Sequence, residues 1–174
     1  MPATLKAGLL GGIVLFAWGM ISWMIMPYHS AVLHQFPNEA VISETLASYA
    51  PKAGVYVVPH NKDSLKPGHP FAFISVRPGG LPLSMGQMFA VALAGNIAVA
   101  FLVAYVVSLV KSRAYSRRFG LVLVQGIMVI IAANLPLWNW WGFAGDYIVA
   151  TSIDAAIGWA LMGSVIARFA GDPY

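Results

Sequence analysis

Asp154 is the residue whose position most directly implies chemistry, because a carboxylate there interrupts a long apolar segment. It follows Asp146 by eight positions, and at about 1.5 Å per helical residue it lies roughly 12 Å from the end of that segment. Polar residues at comparable depth on other segments are its expected hydrogen-bond partners. The predicted intramembrane polar cluster consists of Asp154, Asn134, Gln87, Ser22 and Thr151.

Two roles for Asp154 stay open. As a proton or cation relay, or as a ligand-binding carboxylate in a hydrated cavity, it would make the chain a small transporter or channel. As an interhelical hydrogen-bonding group it would fix helix packing instead. Counting residues from the segment ends places no Lys, Arg or His at the same depth, and a relay needs a second group with which to exchange a proton. The sequence therefore favours the structural role.

A set of methionines and histidines falls at one end of the apolar segments and raises the question of a metal. Thioether and imidazole ligands suit copper. Methionine also fills apolar gaps, however, and these residues follow no defined ligand spacing. The sequence names no cofactor, and a copper hypothesis would rest on Met24, Met26, His29, His34, Met85 and Met88.

The sequence lacks the common signatures of enzymes. It contains no HExxH, CxxC or GxSxG motif, no phosphate-binding glycine loop and no cysteine. The hypothesis of a membrane enzyme would therefore rest only on the presence of residue types that occur in catalytic sites. A nucleic-acid partner is excluded, because the net charge of +4 is not gathered on the face of a soluble domain.

Long apolar helices must position these polar residues. With 59% hydrophobic and 9% charged residues, the chain has too little polar surface for a soluble domain of 174 residues. Four stretches reach the roughly 20 apolar residues that a helix needs to cross a bilayer. The sequence predicts an all-α integral membrane protein, a four-transmembrane-helix bundle with helices over residues 1–28, 81–110, 119–137 and 147–168.

Lysine and arginine residues set the predicted orientation of the bundle. The connection 111–118 carries four positive charges and no negative one, and such a basic loop is retained in the cytoplasm. Both termini, including the tail 169–174, are then cytoplasmic. Three tryptophans fall in the predicted outer turn 138–146 and mark a membrane interface. Pro136 is expected to end the third helix just before this turn.

Residues 29–80 form a predicted extracytoplasmic insert between the first and second helices. After Asn38, apolar residues at helical spacing predict a short amphipathic helix. The runs 55–58 and 71–76 are rich in β-branched and aromatic residues and predict an antiparallel pair of strands. Because an isolated two-stranded hairpin is marginally stable, this small α+β insert needs support from its own helix, the bundle or a partner.

Small residues predict where the helices pack. Gly8 and Gly12 on the first helix stand four residues apart, a spacing that lets helix backbones approach closely. The second helix carries a similar stripe, which favours contact within one bundle and leaves homo-oligomerisation as the alternative. This stripe consists of Gly86, Ala90, Ala94 and Ala98.

The stretch from Asn134 to Tyr147, NLPLWNWWGFAGDY, resembles a pattern of uncharacterised bacterial four-helix inner-membrane proteins. The resemblance covers the last two helices and the outer end of the first. It implies a multi-pass protein of the bacterial inner membrane, and no function comes with it.

These observations favour a non-catalytic integral membrane protein, either an accessory subunit or a scaffold whose insert docks a membrane or periplasmic protein. The absence of catalytic motifs carries this hypothesis. A small transporter or channel using Asp154 is the alternative. A copper-handling membrane protein or a membrane enzyme is the third possibility. The lipid bilayer is the one partner that composition implies directly.

Overall fold

A computed structural model describes residues 3–110, 112 and 114–170 of the chain, with the backbone alone at residue 62. The fold is 70% helical, and the predicted four long apolar helices and two-stranded sheet are confirmed. Lys111, Arg113 and the tail residues 171–174 lie outside the described residues. The elements in chain order are α1 (Ala3–Met24), α2 (Tyr28–Val32), α3 (Glu39–Tyr49), β1 (Gly54–Val58), β2 (Ala72–Val76), α4 (Met85–Ser108), α5 (Tyr115–Trp141) and α6 (Gly145–Phe169).

Helices α1, α4, α5 and α6 are each long and apolar enough to cross a membrane, which supports a multi-pass membrane protein. Their outward surfaces remain apolar: Val91, Leu102, Met128 and Val149 are all more than half exposed. A soluble protein does not leave such continuous apolar surface uncovered. Acyl chains are the natural contact for these surfaces.

Helix α5 is longer than predicted at both ends. It begins at Tyr115 rather than at residue 119, and it continues through Pro136 to Trp141. Pro136 removes only one backbone donor, and helices in apolar surroundings tolerate that loss when neighbouring groups compensate. The helix ends instead at Gly142, whose φ of 66° is the left-handed conformation of a glycine cap. The predicted outer turn 138–146 therefore shrinks to the three residues between α5 and α6.

Helix α1 lies between α4 and α6, and α5 packs against α6. The Gly8 and Gly12 face meets α4 directly, as a Cβ on Gly12 would lie 2.5 Å from the Cα of Ile97. A Cβ on Gly8 would lie 2.7 Å from the Cα of Phe101. The two glycines thus let the backbones of α1 and α4 touch, as in small-residue packing of membrane helices.

The small-residue stripe predicted to pack on α4 does not do so within this chain. Gly86, Ala90, Ala94 and Ala98 are all exposed. The small residues that α4 buries are instead Ala100, Ala104 and Ser108, which are again four positions apart. The buried residues of α4 are Ala100, Val103, Ala104, Val107 and Ser108.

The insert contains a short α-helix that the sequence did not predict. The five-residue helix α2 follows Pro27 and packs against α6, so the chain turns back onto the bundle immediately after α1. Helix α3 follows Asn38, whose side chain accepts a hydrogen bond from the Val41 backbone N–H at 3.2 Å. Strands β1 and β2 pair antiparallel, with Gly54 opposite Val76.

The hairpin is supported by the end of the bundle, as the sequence required. The Phe73 ring on β2 lies 4.6 Å from the Trp141 ring at the end of α5. It also lies 6.2 Å from the ring of Phe143 in the α5–α6 turn. This aromatic contact joins the insert to the end of the bundle at which α1 ends and α6 begins, called here the insert end.

At the opposite end of the bundle, Arg118 fastens α5 to the end of α6. Its side chain is 9% exposed. Its Nε donates to the Ser112 carbonyl at 2.7 Å and its Nη1 donates to the Ala170 carbonyl. The guanidinium thus caps a helix C-terminus, where a positive charge is favoured. Nearby, the Lys6 ammonium lies 4.8 Å from the centre of the Phe169 ring.

Candidate functional site

The Asp154 carboxylate is the acceptor at the centre of a polar cluster near the insert end. Its Oδ1 accepts hydrogen bonds from Trp18 Nε1 at 2.8 Å, Ser22 Oγ at 2.5 Å and the Tyr28 hydroxyl at 3.0 Å. Trp18 Nε1 also lies 3.1 Å from the Asp154 backbone carbonyl. Three donors from two different parts of the chain therefore converge on one carboxylate oxygen.

His29 is the second titratable group in this cluster. Its Nε2 lies 2.9 Å from Ser22 Oγ and 3.7 Å from Asp154 Oδ2. The residue is 2% exposed, and its ring stacks on Trp23 at 3.8 Å with an interplanar angle of 14°. Its Nδ1 is buried and has no hydrogen-bond partner among the described residues. The sequence argument that placed no His near Asp154 is therefore wrong.

The break between α1 and α2 explains why His29 reaches Asp154. Helix α1 ends at Met24, and the Met26 N–H donates back to the Ile21 carbonyl at 3.2 Å. Pro27 then starts α2, where its fixed φ suits a first helical turn. The chain folds back toward the bundle instead of leaving it, so His29 returns to the depth of Ser22. A depth estimate that treats residues 1–28 as one continuous helix cannot predict that the chain reverses direction at Pro27.

The Ser22 hydroxyl links Asp154 to His29. It has one proton, which it donates to Asp154 Oδ1 at 2.5 Å. With that proton committed, Ser22 Oγ can only accept from His29 Nε2 at 2.9 Å, a bond that requires the ring form with a proton on Nε2. In that form, Nδ1 is a buried acceptor without a partner among the described residues.

Ser22, His29 and Asp154 include the residue types of a hydrolytic triad but not its geometry. In a triad, the carboxylate binds one ring nitrogen while the serine faces the other. Here Ser22 and Asp154 both lie on the Nε2 side of His29. Ser22 is also 0% exposed, so no substrate reaches its hydroxyl. The cluster does not have the arrangement of a serine hydrolase.

Tyr28 lies beyond the end of α1, and its hydroxyl contacts both Ser22 and Asp154. Desolvation raises the pKa of Tyr28 above its ordinary value of 10.0, and the hydrogen bond to Asp154 and the negative charge of Asp154 act in the same direction. The bond with Ser22 opposes them by lowering the pKa. The hydroxyl therefore remains protonated at neutral pH and serves as a donor to the cluster.

The structure changes the membership of the predicted polar cluster. Ser22 contacts Asp154 directly, but the other three proposed partners bond elsewhere. Gln87 forms a capping box with Ser84 at the start of α4, and Asn134 Nδ2 donates to Ser152 Oγ at 2.8 Å. Thr151 Oγ1 donates to the Tyr147 carbonyl of its own helix at 2.9 Å. The contacts of Gln87 and Thr151 are local to their own helices, whereas the contact of Asn134 joins α5 to α6.

Sequence reasoning missed Trp18, Tyr28 and His29 as members of the cluster. Trp18 precedes Ser22 by four residues and so shares its helix face. That spacing was the available signal. For Tyr28 and His29 the signal was Pro27, which permits a new helix with a new direction.

The candidate copper ligands do not form one common site. His29 belongs to the Asp154 cluster, whereas Met24 and Met85 are 65% and 61% exposed. His34 and Met26 are exposed, and Met88 is half-buried in the first turn of α4. Within the described part of the chain, no three His, Asp or Glu side chains come together as a metal site. Copper binding stays a prediction that rests on ligand type.

Comparison of the chain with models of protein families, with curated proteins and with solved structures finds no match. The resemblance of the 134–147 stretch to uncharacterised inner-membrane proteins therefore stays an expectation. Any functional proposal has to come from the geometry of the chain itself.

Proposed function

We propose that this chain is a non-catalytic protein of the bacterial inner membrane, an accessory subunit or scaffold whose extracytoplasmic insert docks a partner protein. Four candidate membrane spans and the positive charges at the end of the bundle opposite the insert support the placement and orientation. The single observation that carries the docking proposal is helix α3, in which no residue is buried.

Helix α3 has apolar side chains with nothing described to cover them. Val41 is 53% exposed and Tyr49 is 83% exposed, and both lie on the side of α3 shared with Ile42 and Leu46. An isolated helix of 11 residues is marginal in water, because most helical stability in proteins comes from packing an apolar face. A surface that covers Val41 and Tyr49 would supply that packing.

A protein surface fits α3 better than the bilayer surface does. Interfacial helices are typically rich in Lys and Arg on the polar side, which attracts them to anionic lipid. The only charged residues of α3 are Glu39 and Glu44. Anionic lipid repels such a helix, whereas a protein with an apolar groove and a basic rim would complement it.

Site-specific photo-crosslinking in intact cells tests this proposal. A photoreactive amino acid at Val41 or at Tyr49 is expected to form an adduct with one and the same protein. The matched control is Ala47, which is exposed on the opposite side of the helix and should give no such adduct. Loss of the adduct in a Val41→Asp protein probed at Tyr49 would tie it to the apolar face. Adducts with lipid alone, or equal adducts at Ala47, would contradict docking.

A small proton-coupled transporter is the second candidate, and the position of His29 favours it. The main argument against a relay was that Asp154 had no second ionisable group, and His29 Nε2 lies 3.7 Å from Asp154 Oδ2. The unpartnered Nδ1 of His29 provides a place for a proton. The function of a relay would depend on ionisation at Asp154, which the conservative variant described in the Discussion tests.

A further inference from the structure

An aromatic cup lies where the insert meets the bundle. It is a cavity of about 210 Å³ lined by Phe71, Phe73, Trp141, Gly142 and Phe143. Phe73 lies near the start of β2, Phe71 immediately precedes that strand, and Trp141 ends α5. Every side chain in this lining is an aromatic ring, since Gly142 contributes only backbone.

The rings of the cup are tilted against one another instead of being stacked. The Phe73 and Trp141 ring planes meet at 41° with centroids 4.6 Å apart. The Phe73 and Phe143 planes meet at 54° with centroids 6.2 Å apart. The Phe73 and Trp141 rings are close enough to contact each other, so a group in the cup lies beside these rings, within reach of more than one of them. At such spacings, one cation can lie within the roughly 6 Å of each ring centroid at which cation–π attraction operates.

Gly142 is required for this arrangement. Its φ of 66° is rarely adopted by other residues, and a Cβ there would lie 3.3 Å from Phe71 Cδ1. The glycine therefore lets the chain turn from α5 toward α6 while Phe71 lies against the backbone. The Phe71 and Trp141 side chains are 39% and 40% exposed, so their rings remain accessible to a ligand.

The lining differs in kind from that of a second cleft among the described residues. The cleft between α1 and α4 is lined largely by aliphatic side chains, among them Leu5, Leu9 and Ile97. Such a lining suits acyl chains, for which aromatic rings hold no advantage. Aromatic faces carry partial negative charge and attract cations. No charged side chain lines the cup, so a primary ammonium, whose compact charge is strongly hydrated, would find no carboxylate there to pair with.

We propose that the aromatic cup binds a quaternary ammonium group. Such a group has no N–H to satisfy and has a diffuse positive charge, the combination that aromatic cages recognise. The group has two sources, a choline-type lipid headgroup and a small soluble quaternary amine. The exposed Trp138 and Trp140 near the end of α5 place the cup at the level of an aromatic belt, where both sources are present.

Calorimetric titration of the full chain, purified in a detergent without quaternary ammonium, tests the proposal on the unmodified protein. The probes are choline, tetramethylammonium, ammonium and the neutral analogue of choline in which a tert-butyl group replaces the trimethylammonium. Choline and tetramethylammonium are expected to bind, and the neutral analogue is expected to bind at least about tenfold more weakly. Equal affinity for the neutral analogue, or no binding of either cation, would overturn the proposal.

A pair of variants locates the binding. Trp141→Leu is expected to weaken choline binding about tenfold, whereas Trp138→Leu, at an exposed tryptophan outside the lining, should leave it unchanged. Equal loss in both variants would place binding elsewhere and overturn the assignment. If Trp141→Leu does not fold, the comparison of cationic and neutral probes on the parent protein still decides the proposal.

Reconstitution separates the two sources of the ligand. In nanodiscs of phosphatidylglycerol, added choline is expected to bind in either case. In nanodiscs of phosphatidylcholine, a lipid headgroup that occupies the cup should suppress the binding of added choline. Unchanged binding there would identify a soluble amine as the ligand. Loss of binding in phosphatidylglycerol nanodiscs, where no headgroup competes, would count against the site itself.

Discussion

His29 Nε2 lies 3.7 Å from Asp154 Oδ2, although the two residues belong to different helices at opposite ends of the sequence. The contact links α2 to α6, and Ser22 of α1 hydrogen-bonds to both residues. Three helices thus meet at one carboxylate. The cluster links three helices and brings together two ionisable groups, so its geometry is compatible with both a packing role and a proton relay.

Substitution of Asp154 separates these roles. Asp154→Asn keeps one oxygen acceptor for Trp18, Ser22 and Tyr28, so we expect it to unfold at nearly the parent temperature in detergent. Asp154→Leu removes the carboxylate acceptor of Ser22 and Tyr28, whereas Trp18 Nε1 keeps the backbone carbonyl of residue 154. A buried donor left unpaired costs about 1–3 kcal/mol, so the melting temperature should fall clearly. Asp146→Asn is the control, since Asp146 is exposed at the start of α6. A stable Asp154→Asn protein that loses its cellular phenotype would favour transport over docking.

Gly12 should be intolerant of any side chain. A Cβ at this position would lie 2.5 Å from the Cα of Ile97, so Gly12→Val must separate α1 from α4. We expect a loss of several kcal/mol, as for other severe steric changes. Gly19→Val is the matched control in the same helix, because nothing lies within 4 Å of its added Cβ. Similar thermal unfolding of the two variants would show that the α1–α4 contact is wrong.

Ala94 provides the complementary test on α4. Because Ala94 is exposed, Ala94→Leu should leave the stability of a monomer within about 0.5 kcal/mol of the parent. If the small-residue stripe of α4 instead joins two copies, the same variant should shift the protein from dimer to monomer. Size-exclusion chromatography with light scattering distinguishes the two results.

Arg118 should be essential to the end of the bundle opposite the insert. Arg118→Ala removes donors to the Ser112 and Ala170 carbonyls, and we expect a loss of about 2–4 kcal/mol, more than for one neutral hydrogen bond. Arg117→Ala is the control, since Arg117 is exposed on the same turn. Equal melting temperatures for the two variants would contradict this assignment.

The proposed orientation is tested by reporter fusions. A fusion after Gly68 in the insert is expected to report an extracytoplasmic location, and a fusion at Ser112 a cytoplasmic one, because basic loops are retained inside. The reverse pattern would overturn the charge argument. It would also move the aromatic cup and the uncovered face of α3 to the cytoplasmic side.

Helix number and the insert were readable from the sequence because they depend on local patterns. Long apolar runs define α1, α4, α5 and α6, and the Asn38 cap with its following apolar spacing defines α3. Each of these patterns lies within a single segment, so it can be recognised without knowing how the segments pack. The end of α5 was misjudged because Pro136 alone was weighed, whereas Gly142 offered the better termination.

The composition of the Asp154 cluster was less predictable because it depends on tertiary placement. The distance of Ser22 from the end of its helix correctly predicted its contact with Asp154. The same criterion also selected Gln87 and Thr151, whose side chains instead bond to groups in their own helices. His29 was missed since its depth is set by the reversal at Pro27. Two side chains on different helices meet only if they lie at the same depth and if both helices are rotated so that the side chains face each other. Counting residues from the helix ends gives the depth but not the rotation.

The position of α1 has a consequence for the order in which its contacts can form. It packs against α4 and α6, and both of these helices follow it in the chain. Until α6 has been synthesised, the indole of Trp18 and the hydroxyl of Ser22 have no Asp154 to bind. Trp18 and Asp154 stand 136 positions apart, so the polar contacts of α1 are completed only after the insert, α4 and α5 have all been made.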